Sequence, residues 1–413
     1  MTTLGTTTGE TRSRLLHRLP RLHGGAATAA VAVAFWATMT GTTVPTPLYP
    51  DYEHAFDFSS LMVTIAFAVY AIGVVAGLLT AGSLSDRFGR RPVTTAALLL
   101  ALAAAGVFLA ADDLGVLLVG RVLSGLSVAL VTGAATAHLT ELAPPGHRLR
   151  AGRIALAANM GGLATGPLLA GVLAQFAPSP LRLVWIVNAA VLLVALALLA
   201  GVPETVARRG AGRLRPTLPK VPAGIRAPFA RSALTAGAGF AVVGVLTATT
   251  GLFLAGPLRL NSPVLSGVTV ALAFVGAAGG QLLARVLRPR AVLPIACLGL
   301  VGSAALIATA MLTVTLAPLV AAAVVDGLAT GLAIGDGIAL ITEGAEPAVR
   351  GQAFSALFAA VYGLLALPAI GVGVLIAPTG LRTAGTVFAA VVAALALGVL
   401  ASLPRRRTPA RQG

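Results

Sequence analysis

Charge is scarce in this 413-residue chain: Asp, Glu, Lys and Arg make up 10% of it against 57% hydrophobic residues. Most of its length lacks the side chains an aqueous surface needs, which excludes an ordinary soluble globular protein. Cysteine occurs once, as Cys297 inside an apolar run, so an internal disulfide and cysteine-based metal chemistry are excluded. With five histidines and 13 scattered acids, no nucleophile, base or metal-ligand set assembles. The reading is therefore of a non-enzyme with no cofactor and no metal. Lysine is nearly missing too, Lys220 standing alone against 28 arginines.

The formal charge of +16 would suggest a nucleic-acid partner in a soluble chain. Here the cations sit between apolar runs, so position overrides the total and no nucleic acid is expected. The runs fall near 26–48, 60–81, 93–111, 114–140, 153–177 and 183–202, then 232–256, 264–284, 291–312, 314–341, 352–377 and 382–403. Each is long enough to cross hydrocarbon as a helix. Arg12, Arg14, Arg18 and Arg21 ahead of the first run resemble a signal peptide, but no small-residue cleavage site follows, so an uncleaved span is expected. With the amino terminus inside, 25 cationic residues fall on inner segments and three on outer loops. That asymmetry orients both termini to the cytoplasm of a multi-pass cell-membrane protein.

The fold class expected is an all-α membrane protein of twelve helices arranged as two six-helix pseudo-repeats. Its parts are a basic tail (1–25), a first lobe (26–202), a basic linker rich in Pro, Gly and Arg (203–231), a second lobe (232–403) and a basic tail (404–413). The repeat is visible in the residues: Thr140-Glu141-Leu142-Ala143 and Arg148 match Thr342-Glu343-Gly344-Ala345 and Arg350 at an offset of 202. Gly171-Val172-Leu173 and Gly373-Val374-Leu375 match near the same offset. An even number of spans per copy makes the copies parallel, related by an axis along the membrane normal, with a cavity between lobes.

Between spans two and three stands Gly82-Ser83-Leu84-Ser85-Asp86-Arg87-Phe88-Gly89-Arg90-Arg91-Pro92. Its glycines permit a tight turn, and a carboxylate among three guanidiniums can form bidentate pairs. The run resembles the signature loop of the major facilitator superfamily. The resemblance implies a conformational gate of Gly82, Asp86, Arg87, Gly89, Arg90 and Arg91, with Asp86 facing the start of the eleventh helix and Arg90 and Arg91 paired to Glu141. The second copy has Ala284 where Asp86 stands, so no symmetric latch is expected.

On span four, Arg121 within Gly120-Arg121-Val122-Leu123-Ser124-Gly125 resembles the family's intramembrane Arg motif. An arginine there must face a cavity or partner, or snorkel to the outer headgroups. On span five, Gly162, Gly166, Pro167 and Gly171 resemble the antiporter motif of proton-coupled drug exporters, though small-residue packing accounts for the same spacing. Span one lacks the acid many such exporters carry. The deep carboxylates are Asp326 and Asp336 on span ten, and Asp326 corresponds to Ser124 through the repeat; with Arg121 they are the proton- or substrate-coupling candidates. Asp336 is read as a gate or a partner for an inner arginine. His138 reads as a packed helix residue or a proton relay. Trp36, Asn159 and Tyr362 are candidates for the cavity wall.

The function expected is proton-coupled efflux of a small amphipathic compound by alternating access, its partners being that substrate, protons and the lipid bilayer. The alternative is an uptake or metabolite symporter, and a more distant one a membrane enzyme or sensor. A monomer is the default oligomeric state.

Overall fold

The computed structural model describes residues 22–81, 84–206 and 220–404. Gly82, the outer parts of both tails and the middle of the linker therefore lie outside the described residues. Among the described residues, eleven helical stretches are long and apolar enough to cross a membrane, and Gly380, at φ 79°, breaks the last into two. Twelve spans result.

We number the spans α1 (Gly24–Thr43), α2 (Ser60–Ala81), α3 (Arg90–Leu109), α4 (Leu114–Leu142), α5 (Arg148–Phe176), α6 (Pro180–Ala200), α7 (Arg226–Ala255), α8 (Pro263–Leu283), α9 (Pro289–Thr313), α10 (Leu316–Gly344), α11 (347–379) and α12 (381–401). After α1, a 3-10 turn Thr46–Leu48 leads into a short helix, Tyr49–Phe56. Two aromatic contacts pin that short helix: Tyr49 reaches α4, and the Tyr52 hydroxyl accepts a 2.8 Å bond from Trp185 Nε1 of α6. Trp185 is itself stacked on Phe108 at 4.2 Å. The chain enters and leaves on one face, here the terminal face; the opposite one is the far face.

The two lobes repeat their packing. In the first, α1 lies on α4 and α5, α2 on α4, and α3 on α4 and α6; in the second, α7 lies on α10 and α11, α8 on α10, and α9 on α10 and α12. Gly125 lets α4 approach the Tyr70 carbonyl of α2, and Gly327 does the same for α10 against the Ala273 carbonyl of α8. The sequence correspondence of Ser124 with Asp326 thus holds in space. Small residues rather than large knobs set these distances, because lipid tails give no hydrophobic reward for helix association.

The lobes meet through two symmetry-related helix pairs, α5 with α8 and α2 with α11. Their close contacts lie toward the far face. A side chain at Gly171 would strike the Pro263 carbonyl, one at Gly267 the Pro167 carbonyl, and one at Gly373 the Thr64 hydroxyl. Gln175 Oε1 accepts from the Ser262 hydroxyl at 2.9 Å across the same rim. Toward the terminal face these helices stand apart: among the described residues, no atom of another helix lies within 4 Å of where a methyl on Gly152 or Gly351 would be. Gly351 shares a helix face with Gly373 to within about 40° at ~100° per residue, so the gap faces the other lobe.

Candidate functional site

The turn that opens α3 is built around Gly89, whose φ of 101° disfavours any other residue. A Cβ there would also collide with the carboxylate of Glu204. That carboxylate caps α3, accepting from the backbone N–H of Arg90 at 2.9 Å and of Arg91 at 3.0 Å. A negative group at a helix start answers both the unpaired N–H groups and the helix dipole. Arg90 holds Glu141 through Nη2 at 2.9 Å and Nε at 3.1 Å, while its Nη1 meets Asp86 and the Ser85 hydroxyl.

Glu141 pairs with Arg90 and makes no ion pair with Arg91 among the described residues. The Arg91 guanidinium instead donates to the Ala200 carbonyl at 2.6 Å, because Glu204 draws the backbone of this turn toward the end of α6. Asp86 has 63% of its side chain exposed, so it is not seated against α11 in this conformation. Arg87 forms no ion pair among the described residues. Thr205 donates to Glu141, and His138 Nε2–H donates to the Pro203 carbonyl at 3.1 Å. His138 is therefore a packed helix residue that tethers the start of the linker. Sequence reading missed Glu204, since it belongs to a stretch dominated by arginine.

Arg121 is 1% exposed and does not snorkel. Nη1 donates to the Thr42 carbonyl at 2.9 Å, Nε to the Ala66 carbonyl at 3.2 Å and Nη2 to the Tyr49 hydroxyl at 2.6 Å. The rings of Tyr49 and Tyr70 lie 5.7 and 5.2 Å from its guanidinium carbon. Two spans, α1 and α2, and the short far-face helix thus converge on one cation of α4, which has no carboxylate partner among the described residues. Tyr49 escaped sequence analysis because it is brought back by the 3-10 turn.

In α5, Pro167 removes the N–H that the Leu163 carbonyl would otherwise receive. The Thr43 hydroxyl of α1 fills that vacancy at 3.0 Å. Gly162 and Gly166 face the α1 backbone at Trp36 and Thr40, whereas Pro167 and Gly171 face α8. Trp36 Nε1 donates to the Thr165 hydroxyl at 3.2 Å, adding a further α1 to α5 tie. Asn159 is half-buried on α5. Tyr362 of α11 sits edge-on to Tyr70 of α2 at 6.4 Å and to Phe240 of α7 at 6.1 Å, so it belongs to the lobe junction.

Asp326 is 0% exposed, and among the described residues neither carboxylate oxygen meets hydrogen-bond geometry, the Thr330 hydroxyl being its polar neighbour. Thr330, one turn on, faces Gly239 of α7, while Ala329 packs on Gly299 of α9. Asp326 therefore points into the second lobe between α7 and α9, away from the other lobe. Asp336 accepts a 2.6 Å bond from Ser232 of α7 rather than pairing with an arginine, since Ser232 lies directly across that helix contact.

This pairing of two six-helix lobes with an arginine-carboxylate turn after the second span has a counterpart in a family model described as Major Facilitator Superfamily, which matches residues 31–368. The chain belongs to the Major Facilitator Superfamily. It is a multi-pass membrane transporter and not an enzyme. Among solved structures, this superfamily member resembles a bacterial homologue of the human lysosomal transporter Spinster in an inward-facing and occupied conformation. The TM-score is 0.68 at 18% identity, covering 98% of this chain and 100% of that one. The unoccupied form of the same homologue gives 0.67 at 17%, covering 91% and 96%. These likenesses concern the fold.

Curated relatives include the arabinose-proton symporter of Bacillus subtilis (strain 168), 36% identical over 94 residues, 22% of this chain and 20% of that protein. The quinate permease of Neurospora terricola is 31% identical over 183 residues, 41% and 33% of the two chains. The H(+)/hexose cotransporter 2 of Parachlorella kessleri is 44% identical over 68 residues, 16% and 13%. The matches span a third or less of these relatives' length. Their names are those of symporters and a permease, not of drug exporters.

Proposed function

We propose that this major facilitator chain carries a small hydroxylated metabolite inward together with a proton, by alternating access, with Asp326 as the proton site. The observation that carries the reading is the place of Asp326: sealed inside one lobe, off the lobe interface, with no cation beside it. Burying an ionised carboxylate without a partner costs several kcal/mol, on the order of the effective penalty per buried ion. A bound proton removes that charge at no cost in space. Because the site lies off the path between lobes, a substrate does not compete with the proton for it, and both can be carried in one cycle.

The names of the relatives support the symport direction over the efflux that span five suggests. The residues of that α5 run have packing roles against α1 and α8 that need no exchange chemistry. The charge asymmetry supports a cytoplasmic terminal face, and on that reading the arrangement described is the inward-facing state. In the outward-facing state the terminal face closes, and Asp86 then docks against the first turn of α11, whose dipole favours a negative charge. Arg90, Arg91, Glu141 and Glu204 keep the turn shaped for that docking.

The reading is tested in proteoliposomes containing a pH dye, challenged with arabinose, a hexose and quinate. Symport predicts acidification of the compartment the substrate enters. Alkalinisation of that compartment would instead show exchange and return the efflux reading.

A further inference from the structure

At the far face a small open cavity lies between the lobes. Pro47, Pro50 and Asp51 line it from the first lobe, and Leu254, Leu260 and Ser266 from the second. Among the described residues, the only charged one in the lining is Asp51. The Ser266 hydroxyl is 2% exposed and without a hydrogen-bond partner. It sits 3.7 Å from where a methyl on Gly251 would be, next to the Pro50 ring. A buried hydroxyl left unpaired costs about 1–3 kcal/mol, so such a group in a cavity wall marks a place for a polar ligand atom.

The rest of the lining is largely apolar, with Pro47, Pro50, Pro263, Leu254, Ala255 and Leu260; of its other polar side chains, Ser262 is engaged with Gln175 and Asn261 is exposed. A metal ion wants several oxygens and keeps its water, and gains nothing from such walls. A compact ammonium with hydrocarbon substituents suits them, setting charge against Asp51 and methyls against Pro47, Pro50, Leu254 and Leu260. The short helix carrying Asp51 is fixed on either side of that residue, by Tyr49 on Arg121 and by Tyr52 on Trp185. The carboxylate is therefore presented on a rigid element. The cavity exists only while α7 and α8 rest on the first lobe; parting the lobes at this face divides it.

We propose that this cavity is a binding site for a small organic ammonium ion, with Asp51 as its counter-ion, and that occupancy holds the lobes together at the far face. A ligand that binds only one of two conformations shifts the equilibrium toward it. The site is separate from Asp326 and from the terminal-face charge cluster, so it regulates rather than couples.

Titration of tetramethylammonium into the full-length protein in lipid nanodiscs, followed calorimetrically, tests this. The native protein should bind saturably, and Asp51→Asn at least tenfold more weakly. Gly373→Leu, which props α11 from α2 by striking Thr64 and so touches no lining residue, should weaken binding at least tenfold. Leu260→Lys, which brings its own ammonium to Asp51, should leave no measurable binding. Absence of binding to the native protein overturns the proposal, and so does equal binding by native protein and Asp51→Asn. Full binding by Gly373→Leu would remove the requirement for both lobes and with it the clamping role.

Discussion

The hydroxyl of Thr43 on α1 donates a 3.0 Å hydrogen bond to the carbonyl of Leu163 on α5, the acceptor that Pro167 leaves without its helical donor. One side chain thereby offsets the defect a proline makes in a neighbouring helix, as membrane helices require where no water reaches. Thr43→Val keeps the shape and removes the donor. It should lower stability by about 1–3 kcal/mol, measured by thermal unfolding in detergent. Pro167→Ala restores the N–H, so the double variant should lose less than Thr43→Val alone. Equal losses in single and double variants would show that the carbonyl is satisfied elsewhere.

At the far-face rim, Gly171 lies against the Pro263 backbone. Gly171→Leu should hold the lobes apart there and arrest the cycle, reducing transport at least tenfold while the protein remains folded. Thiol labelling of a cysteine placed at Thr64, in a Cys297→Ala background, should become faster in this variant. Unchanged labelling would show that the α5 to α8 contact is not what closes this face.

The capping carboxylate makes a different demand on the terminal face. Glu204→Ala leaves the first N–H groups of α3 unpaired and should cost about 1–2 kcal/mol, the range for loss of a cap. Glu204→Gln retains acceptor oxygens and should cost less. Thermal unfolding of the two variants against native protein ranks them; the reverse order would contradict the capping geometry.

Arg121 donates to two carbonyls and one hydroxyl in a planar fork that lysine cannot reproduce. Arg121→Lys should therefore lose most transport, at least tenfold, despite keeping the charge. Tyr49→Phe, which removes one acceptor of three, should lose less. Substrate exchange measured in proteoliposomes separates them, and native-like exchange by Arg121→Lys would reduce the role of this residue to charge alone.

Much of the architecture is legible in the sequence because hydrocarbon imposes length and composition on each span, and Pro378-Thr379-Gly380 marks even the break between α11 and α12. The burial of Arg121 and its distance from the headgroups follow less directly, since a long side chain at that depth could point either way until Tyr49 and Tyr70 are seen around it. The pairing of Arg90 with Glu141 follows from the motif, but Glu204 does not. It caps a helix more than a hundred positions earlier in the chain, and no local pattern marks such a partner. The small-residue run of α5 suggests exchange only through its resemblance to the antiporter motif of drug exporters. In space it divides its residues between α1 and α8, and only the tertiary fold shows which belongs to which.

The most direct test of the account compares native protein with Asp326→Asn in proteoliposomes, using whichever of arabinose, hexose or quinate the native protein carries. Two quantities are measured: exchange of labelled for unlabelled substrate without a gradient, and accumulation driven by a proton gradient. The account predicts that Asp326→Asn keeps exchange within about threefold of native while gradient-driven accumulation disappears, because the asparagine mimics the proton-loaded acid and cannot release it. Accumulation at the native level in Asp326→Asn would contradict the claim that the coupling proton resides at Asp326.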